Sequence, residues 1–155
     1  MKNNLKSISK YPLQWPSGWE RTKHPRESRF GRDRKPTIAE SRDFVNHELE
    51  LLTKFETGRL NFVISSNLVL NQDGSVRSRQ RNPEDKGVAV YFNWKGGQKV
   101  IACDTFNNCA CNLRAIGRTI EAMRQMQRDG CTQILERAFT GFDALPEKAG
   151  EANLV

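Results

Sequence analysis

The chain of 155 residues has no long apolar run. Nothing in it approaches the ~20 apolar residues that a bilayer-spanning helix needs. The opening stretch, MKNNLKSISK, also lacks the apolar core of a signal peptide. A cytoplasmic protein is therefore expected, with its four cysteines reduced. Histidine is scarce as well. Only His24 and His47 offer an imidazole base, and neither adjoins a Ser or Cys in a recognisable nucleophile motif. No phosphate-cradling glycine loop precedes a helix, because Gly96-Gly97 falls between two strand-like runs. Cys103, Cys109, Cys111 and Cys131 are spaced C-x5-C-x-C-x19-C, whereas structural zinc sites use two close ligand pairs. No metal or other cofactor is expected, and the expectation leans towards a non-enzymatic protein.

Apolar residues make up 37% of the chain, short of the ~45–50% usual for globular proteins. Charge is also unevenly placed. Residues 1–36 hold ten Lys/Arg and three acids, which accounts for the whole net charge of +7. Residues 37–155 hold fifteen of each sign. A basic arm on a neutral body points to an anionic partner, with nucleic acid, DNA or RNA, ahead of acidic protein or lipid surfaces. The candidate phosphate-contacting residues of the arm are Arg21, Lys23, Arg26, Arg29, Arg32, Arg34 and Lys35. Trp15 and Trp19 are its aromatic anchors, in the segment YPLQWPSGW. They can pin the arm to its own domain, stack on bases, or fill a partner's groove.

The body is organised around residues 87–128. Two apolar, β-branched and aromatic runs, 87–94 and 98–104, flank a glycine turn and predict a hairpin covered on both faces. Leu113, Ile116, Ile120 and Met123 then repeat at helical spacing, which predicts a helix over 109–128 that ends at Gly130. Upstream, Thr37 and Glu40 form a T-x-x-E capping box after Pro36. It opens a helix that should stop near Phe55, with Gly58 beyond. Residues 60–66 read as a strand, and Asp73-Gly74 as a turn that brings 75–78 back. Arg77, Arg79 and Arg81 alternate, so an extended segment would place all three on one side, as tracking a phosphate backbone requires. A short helix over 132–139 and a clasp of Phe139, Phe142 and Leu145 close the body. Residues 1–10 read as loose.

The expected fold is α+β, with a small antiparallel sheet of three to four strands packed against helices. The expected order is α-β-β-β-α-α. Residues 1–36 form an extended basic arm, 37–146 one domain, and 147–155 a flexible tail. Helix–strand–strand–strand–helix is also the order of double-stranded RNA-binding domains, which read A-form shape and phosphates. Arg114 and Arg118, one turn apart, are the nearest equivalents here of their basic helix.

The pieces YPLQWPSGWERT, FVISSNLVLNQDGSVRS, GVAVYF, ACD and AFTGFDALP resemble the N-terminal region of J-domain-containing (DnaJ-like) proteins of bacteriophages and mobile elements. The resemblance spans most of residues 11–146. The J-domain's own His-Pro-Asp does not occur, since His24-Pro25 is followed by Arg26. The resemblance implies an accessory protein of a prokaryotic mobile element and supplies no reaction. Three functions follow in order: a nucleic-acid-associated accessory protein, an adaptor or inhibitor that binds host machinery through the aromatic arm, and a metal-dependent nuclease. The nuclease would use Asp104 with Glu84 and Asp85, since carboxylates at strand ends can gather Mg²⁺.

Overall fold

A computed structural model describes residues 6–29, 34–54 and 61–140. The elements in chain order are β1 (Lys6–Lys10), α1 (Ile38–Leu52), β2 (Asn61–Ser66), β3 (Val88–Trp94), β4 (Gly97–Cys103), α2 (Cys109–Arg128) and α3 (Thr132–Thr140). The fold is α+β, as the sequence pattern predicts, but two features differ. The sheet is mixed, and its order β1-β2-β3-β4 includes a strand drawn from the segment that reads as loose. β1 pairs parallel with β2, Lys6 opposite Asn61 and Lys10 opposite Ser65. An edge strand with one open side tolerates the polar KSISK sequence that a central strand would not. The remaining pairs are antiparallel.

The hairpin's alternating residues serve two cores. Val88, Val90, Phe92 and Trp94 face the helices and pack with Val45, Leu49, Leu113, Ile116, Ile120 and Phe139. Ala89, Tyr91, Val63 and Val100 face the other way, where Leu13, Trp19 and Ala102 pack on them. The second face is covered by the N-terminal segment itself. Its backbone is tied down by side chains of β2, of Asn67 just past it, and of β3: Leu13 N–H donates to Asn67 Oδ1 (2.9 Å), Gln14 N–H to Ser65 Oγ (2.7 Å), and Tyr91 Oη–H to Gln14 O (2.8 Å).

α1 begins as its capping box predicts. The Thr37 hydroxyl accepts from Glu40 N–H, and the Glu40 carboxylate accepts from Thr37 N–H. α1 and α2 run side by side in the same direction. Ser41 Oγ–H reaches Ala110 O near both starts (2.7 Å), and Arg124 Nε–H reaches Glu48 Oε2 further along (2.7 Å). Between them lies Gly117, where an added Cβ would stand 2.2 Å from Phe44 Cδ1, so the close crossing requires glycine. The two helix N-termini therefore emerge together at one end of the molecule.

The hairpin at Asp73-Gly74 is present, with Leu70 bridged to Val76 and Gly74 at φ +87. Past it the chain is not extended. Arg79 takes φ +57, and the backbone turns instead of holding Arg77, Arg79 and Arg81 in strand alternation. Phe55, Gly58, Phe142, Leu145 and the tail 147–155 lie outside the described residues. Among the described residues no helix is long and apolar enough to cross a membrane.

Candidate functional site

Charge at the helix-N-terminal end is arranged by a few polar side chains. Buried Asn112, in the first turn of α2, donates through Nδ2 to Lys86 O (2.8 Å) and Phe106 O (3.1 Å). Its Oδ1 accepts from Phe106 N–H (2.9 Å). One amide thus fixes the entry to β3 and the exit from β4 onto α2. Asn108 caps α2 by accepting from Ala110 and Cys111 N–H, and Asn82 Oδ1 accepts from Cys109 N–H (3.0 Å). These three asparagines carry no sequence signature beyond the general preference of short amides for caps and turns.

Arg21 is held internally. Its Nε–H donates to Asp104 Oδ2 (2.9 Å), its Nη2 to Asp85, and its guanidinium lies 4.3 Å from the Trp15 ring centroid. Burial opposes its charge, but the Asp85 and Asp104 carboxylates outweigh that and raise its pKa above the ordinary value. Thr22 N–H also donates to Asp104 Oδ2 (2.9 Å). Downstream, Arg26 N–H donates to Thr105 O (2.9 Å) and Asn107 N–H to Arg26 O (3.0 Å), so the arm continues alongside Phe106. Arg34 grips Glu40 through both terminal nitrogens (2.9 and 3.1 Å), and Lys35 donates to Ser28 O and pairs with Glu27. Of the aromatic anchors, Trp19 packs partly buried against both cores, and Trp15 Nε1–H donates to Trp19 O (2.7 Å).

The remaining candidate cations are placed differently. Lys23, Arg26, Arg29, Arg77, Arg79 and Arg81 are exposed, and none has a carboxylate partner among the described residues. Arg114 lies over the Phe44 ring at 4.9 Å, and Arg118 pairs loosely with Glu121 at 3.5 Å on the α2 surface. Arg32 lies outside the described residues. Arg77 and Arg79 line a groove of about 350 Å³ between the helix starts. Pro36, Ile38, Ala39, Leu68 and Val76 give it a largely apolar floor, and Asn82, Asn108 and Cys109 close its far side. Lys23 lines a neighbouring polar cleft of about 410 Å³ with Glu84, Asp85, Lys86 and Asp104.

The nuclease carboxylates do come together in that cleft, but Arg21 sits on two of them. Among the described residues no three His, Cys, Asp or Glu side chains gather as a metal would need. Burial pushes the Cys109 thiol up to about 12, so it is protonated at neutral pH and unsuited to act as nucleophile or ligand. Burial likewise raises the Cys103 thiol.

No protein-family model, curated protein or solved structure matches the chain.

Proposed function

We propose that the protein binds nucleic acid through its helix-N-terminal end, as an accessory factor without a reaction of its own. The observation that carries this is the imbalance of charge there. Asp85 and Asp104 are taken up by Arg21, Glu40 by Arg34 and Glu27 by Lys35. Arg77, Arg79 and Arg81, and in the arm Lys23 and Arg26, face solvent with no such partner among the described residues. Glu84 in the neighbouring cleft and Glu20 next to Arg21 are exposed carboxylates that offset part of this charge. The positive ends of two parallel helices add to the same field. Flexible cations that face solvent are suited to phosphates, since they release counterions on contact without first breaking an internal pair.

The resemblance to DnaJ-like mobile-element proteins fits an accessory role and would set this activity in a phage or integrated element. Fluorescence anisotropy with labelled oligonucleotides over a range of salt concentrations tests the reading. Binding should weaken linearly in a log–log plot, with a slope of about −0.7 to −0.9 for each phosphate contacted. Salt-independent capture of one protein, with no oligonucleotide bound, would favour the adaptor instead.

A further inference from the structure

We propose that the groove between the starts of α1 and α2 takes one unpaired nucleotide of a single strand, its base on the apolar floor and its phosphates on Arg77 and Arg79. This rests on the nucleic-acid reading above and narrows it from phosphate contact to strand type.

Shape is the first argument. A groove of about 350 Å³ falls in the range of ligand pockets, roughly 300–1,000 Å³. A duplex keeps its bases stacked inside a convex backbone and would touch only the rim. An unpaired base can be splayed out and enter.

Chemistry is the second. Ile38, Leu68 and Val76 offer apolar contact to a base's faces. The guanidinium planes of Arg77 and Arg79 can stack on it or meet its phosphate. Asn82 uses its Oδ1 to cap Cys109, and its Nδ2 has no partner among the described residues, which leaves a donor at the groove wall for a base edge.

Preorganisation is the third. Positive φ is unfavourable for a non-glycine residue and persists where the surroundings over-determine it. Arg79 adopts it next to Gln80, whose amide is fully engaged: Oε1 accepts from Val69 N–H, and Nε2 donates to Val69 O and Arg77 O. That clamp presents Arg77 and Arg79 to the groove before any ligand arrives.

The arrangement is less suited to a duplex. The first turn of α2 carries no cation, and the N–H groups of Cys109, Ala110 and Cys111 are already taken by Asn82 and Asn108. Those three N–H groups are therefore not free to bond a duplex phosphate directly, and the helix end contributes only its field.

The test compares a labelled single strand with its duplex at one salt concentration, as DNA and as RNA, for the wild-type protein and for Ala39→Leu. Ala39 is exposed at the groove, and leucine is a good helix former, so this variant fills the site without threatening the fold. The wild-type protein should prefer the single strand by about tenfold, within the range that one stacked base contributes. Ala39→Leu should remove that preference and leave duplex affinity and its salt slope unchanged. Equal affinity for both strand types, unaffected by Ala39→Leu, would overturn the groove proposal while the nucleic-acid reading stood. Binding to neither would bring down that reading as well.

Discussion

Residues 21–35 and residues 77–81 are alike in composition and differ in how much of their charge is matched within the molecule. Both are rich in arginine, and both sit at the helix-N-terminal end. In the first stretch Arg21, Arg34 and Lys35 are matched by carboxylates of the same molecule while Lys23, Arg26 and Arg29 are not, and the backbone is sewn to β4's exit through Asp104 and Thr105. In the second, Arg77, Arg79 and Arg81 have no carboxylate among the described residues. Counting charges along the chain assigns the whole surplus to the arm. Counting pairs in space shifts part of the uncompensated charge to a loop in the middle of the sequence. Net charge indicates that an anion is favoured, while internal pairing decides which surface meets it.

The comparison can be broken by disturbing charges of each kind. The largest effect is expected at the fully internal pair of Glu48 and Arg124, whose side chains are 4% and 15% exposed. Glu48→Ala leaves a guanidinium unpaired between α1 and α2 and should cost about 3–5 kcal/mol in chemical denaturation. Next is Asp104→Ala, which strips Thr22 N–H of its acceptor, leaves Arg21 with Asp85 alone, and should cost about 2–3 kcal/mol. It should also raise amide exchange over residues 20–26. The triple variant R77A/R79A/R81A lies at the other extreme. Stability should change by no more than about 0.5 kcal/mol, as is usual for surface sites. The salt slope of nucleic-acid binding should nonetheless shrink by about 2 to 3, if each arginine contacts one phosphate.

The smallest effect is a pH dependence in the arm. Hydrogen bonds from Arg34, and then from Thr37 N–H, lower the Glu40 pKa from 4.5 to about 2. A carboxylate depressed in the folded state stabilises it above the unfolded pKa. That contribution is lost as pH falls from about 4.5 towards 2. Carboxyl-carbon NMR should place the Glu40 midpoint near 2 and show it rising towards 4.5 in Arg34→Ala.

Much of the body was legible because its signals are local. The Thr37–Glu40 box and the apolar repeat of α2 each act within a few residues and appear at their predicted places, while the turn expected on Gly96-Gly97 falls one residue earlier, on Lys95 and Gly96, both at positive φ. β1 was not legible, since KSISK has a single apolar residue and its partner strand lies more than fifty positions away in the chain. The path of the arm was hidden for the same reason. Leu13 meets Asn67 across 54 residues, and Arg21 meets Asp104 across 83. At the site, the cationic residue types could be read directly from the sequence. Which of them are neutralised could not, because each deciding acid except Glu27 and Glu40 is remote in sequence.

The most direct measurement is to follow the arginine Nε–H resonances while a single-stranded oligonucleotide is added. The signals of Arg77, Arg79 and Arg81 should move, and those of Arg21 and Arg124, held by Asp104 and Glu48, should stay in place. Movement of the Arg21 signal with the loop arginines unchanged would contradict the account.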